Sequence, residues 1–478
     1  MAEYAMKEVN IMKNDLPDSV AARRIRFVEI AAVIGCLLFT GVFAGKYLIM
    51  PMISDEYKVT RNSVAMQAIE GYMIEGSWLD RNGSLIMGGS EAGKKAQAEY
   101  PMNYSYAWLL GYYSVNGMTE NRYALRGNLY NYTMFTLDEH DTGATVRMTT
   151  ENGLQNFAFS SILAGNEGSV TVLDNDTGAI LCLASQSTAD YDVNDPNTLL
   201  LSDIEGSQYR RGTFENDPPG STFKVITAAA ALQMQEEEGL DDSFFDYYDS
   251  GYYTAPNDGF IIHNYGEYAY GDINLETALN NSVNCYFANL GNLVGQERIA
   301  AMAENFMIGT DIEIPWLCTI HSVLDFGKGT PGDVAQVSFG QGNTAVTPLQ
   351  LTMIAQAIAN DGMMMNPYVV ESVKFGKLPV YTHIQRKLNN CINTSVDRKL
   401  RKIMHSTAVG YGLDEANYGM VYAKTGSAEC PDGRVHTYIM GFTEDASFCI
   451  SLNNSDISYS LYGAAQQLVA YLNNLYAK

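Results

Sequence analysis

GSVTVLDNDTGAILCLAS, residues 168–185, is the stretch on which the architecture turns. SVTVLD and AILCLAS flank Asn175-Asp176-Thr177-Gly178, two apolar strand-like runs around a Gly-containing turn, which predicts a β-hairpin. The end of the chain mirrors it. MVYAKTGSAE (420–429), VHTYIMGF (435–442) and SFCISL (447–452) are short strand-like runs separated by the turn-rich CPDGR and TEDA, an antiparallel meander. YSLYGAAQQLVAYLNNLYA (459–477) then closes as an amphipathic helix. Between the β blocks the pattern is mostly helical: STFKVITAAAALQMQEEE, NLETALNNSVNCYFANLG, ERIAAMAENF and TPLQLTMIAQAIAND. Strands at both ends with helices between them predict an α+β domain: one five-stranded antiparallel sheet built from both termini and flanked by helices. The acidic, tyrosine-rich stretch 236–272 reads as a loop or small excursion.

The chain has 478 residues, 46% of them hydrophobic and 18% charged, a mix able to build a sizeable core. Its net charge of -24 argues against a nucleic-acid partner, which would be repelled. No P-loop and no Gly-x-Gly-x-x-Gly after a strand offers a seat for a nucleotide cofactor. The seven cysteines form no C-x-x-C pair and the six histidines no H-E-x-x-H, so neither a metal nor another cofactor is expected.

Residues 27–45 (FVEIAAVIGCLLFTGVFAG) hold only Glu29 as a charge, and the apolar character resumes after Lys46 with YLIMPMI. About 20 apolar residues span a bilayer, so a single transmembrane anchor over 27–50 is expected. Arg23, Arg24 and Arg26 precede it, which would leave a cytoplasmic tail over 1–26 and the rest of the chain extracytoplasmic. Six cysteines would then lie outside. Cys182 and Cys449 sit in apolar strand-like runs, where a free thiol acts as a small core hydrophobe.

The chemistry starts at Asp217-Pro-Pro-Gly-Ser-Thr-Phe-Lys224. The prolines and Gly220 stop whatever precedes, so Ser221 opens a helix and Lys224 follows one turn later on the same face. A serine hydroxyl needs a base, and a desolvated lysine at the mouth of the apolar run VITAAAAL can be neutral often enough to serve. A helix-capping serine with a surface lysine is also an ordinary arrangement. What sharpens the reading is company in order: Ser282-Val-Asn284, then Lys424-Thr425-Gly426 in a strand.

The set S-x-x-K, S-x-N and K-T-G resembles that of the penicillin-recognising acyl-serine enzymes. With GSVTVLDNDTGAILCLAS, GDINLETALNNSVNCYFANLG, SFGQGNTAVTPLQLTMIAQAIANDG and AKTGSAE, the chain resembles a class B penicillin-binding protein, a membrane-anchored peptidoglycan D,D-transpeptidase. WLDRNGSLIMGG and YPMNYSYAWLLGYYSV are similar to the family's anchor-proximal pedestal. The resemblance implies a pedestal domain over 51–165 and a transpeptidase domain over 166–478 with the fold shared by penicillin-binding proteins and serine β-lactamases. It implies Ser221 as nucleophile, Lys224 as base, Ser282 as proton relay and Lys424 as its electrostatic partner. Asn284, Thr425, Gly426 and Ser427 would bind the stem peptide, with the Ser221 and Ser427 amides as oxyanion hole. Implied partners are D-Ala-D-Ala stem peptides, β-lactams and a membrane-embedded glycan polymerase. The same constellation serves D,D-carboxypeptidases and serine β-lactamases, and a penicillin sensor or scaffold that is acylated without turnover is a further alternative. Two departures are Ser427, where the family usually carries Thr, and Glu75, where the pedestal often has Arg.

Overall fold

The computed structural model describes residues 20–44, 76–87, 104–111, 113–114, 117–118, 124–125, 129, 143–186, 210–429, 435–453 and 461–477. Its centre is a five-stranded antiparallel sheet. β1 (Gly168–Asp174) and β2 (Ile180–Gln186) form the hairpin. β3 (Tyr422–Glu429), β4 (Val435–Phe442) and β5 (Ala446–Asn453) form the meander, and the order across the sheet is β3-β4-β5-β1-β2. The two chain ends meet where β5 pairs with β1, from Ala446 opposite Asp174 to Leu452 opposite Gly168.

The strands are apolar on both faces because both faces are covered. Tyr438, Met440, Phe442 and Cys449 point into the larger core. That core includes α1 (Lys224–Glu238), α2 (Asn284–Val294), α3 (Pro348–Ala359) and α4 (Thr394–Gly410). Ile439, Phe448 and Ile450 face the other way, onto α5 (Leu461–Tyr476) and Leu154, Ala158 and Ile162. All residues of α3 from Pro348 to Ile358 are buried, its polar Gln350, Thr352 and Gln356 each hydrogen-bonded to a backbone carbonyl. The tyrosine-rich excursion folds into two short antiparallel pairs, Tyr247–Asp249 with Gly271–Ile273 and Tyr252–Thr254 with Ile261–His263.

A second five-stranded sheet joins distant parts of the chain. Trp78–Leu79 lies beside Leu85–Met87 and, in parallel, Thr145–Met148. Thr145–Met148 in turn pairs with Val370–Phe375, whose hairpin partner Leu378–Thr382 forms the edge. Strands before residue 150 are thus hydrogen-bonded to a hairpin far along the chain.

The expected transmembrane anchor is not found. Among the described residues no helix is long and apolar enough to cross a membrane. The helix Val20–Ala44 begins with VAARRIR, so its first two turns hold the three arginines. The apolar remainder, 27–44, contains Glu29 and amounts to about 27 Å at ~1.5 Å per residue, less than a ~30 Å hydrocarbon core. YLIMPMI (47–53), which was to extend it, lies outside the described residues, as do Glu75 and Cys430. The single-pass topology, the cytoplasmic tail, the extracytoplasmic placement and the membrane-embedded polymerase contact all rested on that span and are withdrawn with it. The described cysteines, Cys36, Cys182, Cys285, Cys318, Cys391 and Cys449, are free.

Backbone hydrogen bonds tie down the turn ahead of α1. Asp217 exchanges hydrogen bonds with Val346, and the Gly220 amide donates to the Gly340 carbonyl at 2.9 Å. Gly340 has φ +88°, and a Cβ there would sit 1.7 Å from the Gly220 carbonyl oxygen. Gly340→Ala therefore combines left-handed strain with a backbone clash. It should destabilise the chain by about 3 kcal/mol or more, read as a lowered urea midpoint; an unchanged midpoint would contradict this account.

Candidate active site

Ser221 lies in a single turn of 3₁₀-helix, Gly220–Phe223, that runs straight into α1. Two glycines let this turn lie against β3. Gly220 has φ +54°, and a Cβ there would come 2.5 Å from the Ser427 carbonyl oxygen and 2.9 Å from its amide nitrogen. A Cβ at Gly426 would come 2.7 Å from the Pro219 carbonyl oxygen. The spacing of S-x-x-K and K-T-G along the chain thus becomes direct contact in space.

Ser282 reaches the same point through a break in a helix. The helical run NLETALNNSVNCYFANLG forms two helices, Leu275–Asn280 and Asn284–Val294. Ser282 stands between them at φ +54°, a left-handed conformation uncommon for a non-glycine residue. That turn aims both its carbonyl and its hydroxyl at Lys224.

Lys224 is fully buried at the centre of the cluster. Its Nζ lies 2.9 Å from Ser221 Oγ, 2.6 Å from the Ser282 carbonyl oxygen, 3.1 Å from Ser282 Oγ and 2.7 Å from Asn284 Oδ1. Lys424, equally buried, approaches Ser282 Oγ from the other side at 3.1 Å and donates to the Thr425 carbonyl at 2.9 Å. Burial, followed by the charge of Lys424, holds the Lys224 amine well below its ordinary range. Burial lowers Lys424 to about 7. Both amines therefore give up a proton more readily than an exposed lysine does, Lys424 near neutrality.

All eight sequence-derived site residues lie around this cluster, with differing access. Ser221, Ser282, Asn284 and Thr425 are half-buried, Gly426 is buried and Ser427 is exposed. Asn284 is already committed on both ends, since its Nδ2 donates to the His263 carbonyl at 3.3 Å. Sequence reasoning missed Tyr411. Its hydroxyl accepts from Thr425 Oγ1 at 3.0 Å and from the Thr425 amide at 3.3 Å, and lies 3.4 Å from Lys424 Nζ. Its ring stacks on Tyr462 of α5, with centroids 4.8 Å apart. Tyr411 follows α4 in no motif, so nothing local marks it.

Chemically, the arrangement can take a proton from a half-exposed hydroxyl, hold it on a buried amine and pass it across a second hydroxyl. A backbone N–H beside the nucleophile is available for an oxyanion.

Comparisons with known proteins point to one family. The chain is 28% identical over 369 residues to the peptidoglycan D,D-transpeptidase PbpA of Mycolicibacterium smegmatis, covering 69% of this chain and 72% of that protein. It is 32% identical over 297 residues to PbpA of Mycobacterium tuberculosis, 57% of each. Coverage of the MrdA transpeptidase of Haemophilus influenzae falls to 38%, so the chain spans between about a third and three quarters of these curated relatives. Among solved structures, the ceftriaxone acyl-enzyme complex of penicillin-binding protein A from M. tuberculosis superposes with a TM-score of 0.74 at 25% identity, over 84% of this chain and 97% of that one. Residues 168–470 match the family model of the penicillin binding protein transpeptidase domain, and to that family the chain belongs.

Proposed function

We propose that the chain is a peptidoglycan D,D-transpeptidase that works through an acyl-Ser221 intermediate and is acylated by β-lactams. Similar proteins bear that activity in their names, and one was captured as a ceftriaxone acyl-enzyme. The observation that carries the reading is the set of contacts made by Lys224. A neutral amine has two N–H donors and one lone pair. The two shortest contacts, to the Ser282 carbonyl and Asn284 Oδ1, use the donors. The lone pair is left for the Ser221 hydroxyl at 2.9 Å, the geometry of a general base.

In the proposed reaction the Ser221 proton moves to Lys224 Nζ as Oγ bonds to the carbonyl carbon between the two D-alanines. The oxyanion is held by the amides of Ser221 and Ser427. As the tetrahedral species collapses, the proton passes from Lys224 by way of Ser282 Oγ to the departing amine, and the terminal D-alanine leaves. An amine of a neighbouring stem peptide then attacks the ester, loses its proton back along the relay and restores Ser221. Lys424 tunes the relay through Ser282 Oγ, and Thr425 and Ser427 offer hydroxyls to the substrate carboxylate. Asn284 would exchange its His263 contact for the peptide amide. Residues 166–478 hold this site in our reading, and 51–165 form the pedestal.

Ser221→Ala should abolish covalent labelling by a fluorescent penicillin, by at least roughly 10⁴-fold, with the thermal transition retained. Labelling that survives the substitution overturns the assignment, and rapid release of the label from the unmodified chain would point to a β-lactamase instead.

Acylation should also rise with pH as the Lys224 amine loses its proton. The sign for stability is the same. The unfolded chain keeps the Lys424 proton up to its ordinary 10.5 and the folded chain only to about 7, so stability increases with pH between those values. Labelling rates measured from acid to neutral pH test the first statement; a flat profile there would exclude a buried amine as base.

A further inference from the structure

On the far side of the Ser221 turn lies a second cluster of ligand-type side chains that takes no part in the acyl chemistry. Glu215 and Asp217 come from the segment just ahead of the turn. His436 comes from the start of β4, where it pairs with Ala428, the residue after Ser427. One carboxylate oxygen from each acid and one ring nitrogen lie within 4.8 Å of one another.

His436 is the telling member. Its side chain is 1% exposed, and its Nδ1 lies 3.1 Å from an Asp217 carboxylate oxygen. That distance suits a hydrogen bond, yet among the described residues neither ring nitrogen has a hydrogen-bond partner, because the ring is not aimed at the oxygen. A buried imidazole with both nitrogens unpaired is costly. Two ligands of one tetrahedral zinc stand about 3.3 Å apart when each is ~2.0–2.1 Å from the ion, with the imidazole lone pair directed past its neighbour to the metal.

Glu215 adds to this. Its Oε1 accepts from Arg211 at 2.6 Å and from Asn453. Its Oε2 is buried and has no hydrogen-bond partner among the described residues. Arg211 is also shared with Glu167, so one guanidinium serves two carboxylates while Asp217 adds a third acid nearby. The pocket is rich in negative charge and offers one imidazole, a donor set that suits zinc and disfavours the oxygen-only cations magnesium and calcium.

We propose that Glu215, Asp217 and His436 form a zinc site with its fourth position open to water. The ion would fasten the segment that leads to Ser221 onto β4, the strand that holds β3. No local motif could announce it, because the ligands are drawn from two distant parts of the chain.

The test uses the full chain, stripped with a chelator and titrated with zinc chloride alone. The expected result is one zinc per chain by elemental analysis and a melting temperature raised by several degrees, with magnesium and calcium chloride giving no such rise. His436→Gln and Asp217→Asn should each weaken zinc binding tenfold or more and remove the thermal response. Should those variants not fold, cobalt loaded into the unmodified chain decides: the intense visible bands of a four-coordinate N/O site support the proposal. Their absence overturns it, as do substoichiometric zinc and binding undiminished in folded variants. Penicillin labelling, followed in parallel, reports on Ser221 independently, so failure of the zinc site is distinguishable from failure of the acyl-serine reading.

Discussion

Two lysine amines buried around one serine hydroxyl set the terms for the rest of this structure. Lys224 and Lys424 each lie 3.1 Å from Ser282 Oγ, and among the described residues neither has a carboxylate ion-pair partner. Two charged amines this close and this dry would repel each other at low effective dielectric. The inexpensive solution is for at least one to be neutral. A carboxylate inserted to compensate would stabilise the charged form and remove the base. The site therefore relies on carbonyl, amide and hydroxyl oxygens, which satisfy N–H groups without raising the pKa as an anion would.

That requirement explains features that look costly in isolation. Ser282 adopts a left-handed conformation at a helix break, which places two acceptors from one residue on Lys224. Gly220, Gly340 and Gly426 give up side chains so that the Ser221 turn can touch β3 and the 340–346 loop by backbone alone. The sheet matters for the same reason. Since β3 is an edge strand braced by β4, β5 and the hairpin from the other end of the domain, the position of Lys424 depends on long-range pairing. Local propensity alone would not hold a lysine ammonium away from water.

Much of this was readable from residues because it rests on local patterns. The turn at Asn175–Gly178, the meander and the helix after Ser221 each carry their own periodicity or breakers, and all appear where expected. The three motifs were legible because each names a residue type whose chemistry is needed. Tyr411 was not, since its role comes from stacking on Tyr462, far along the chain. The pairing of Val370–Phe375 with Thr145–Met148 was equally hidden, because short strands in different segments carry no record of their partners. The expected membrane span failed for a different reason. The apolar run continues past Lys46 into YLIMPMI in the sequence, whereas the described helix, Val20–Ala44, has three arginines in its first two turns.

The net charge of -24 bears on how an anionic stem peptide could reach this site. Surface charges act over a Debye length of about 8 Å at physiological ionic strength, so most of the acidic surface is screened from a carboxylate at Thr425. What remains is a long-range field that slows encounter and weakens as salt rises. Affinity must then come from groups within direct reach. Lys424 is partly protonated near neutrality, and its charge, with the hydroxyls of Thr425 and Ser427, supplies the local attraction in our reading. A lysine tuned to about 7 keeps enough positive charge to meet a carboxylate, and in our reading the same charge helps to hold Lys224 neutral as the base.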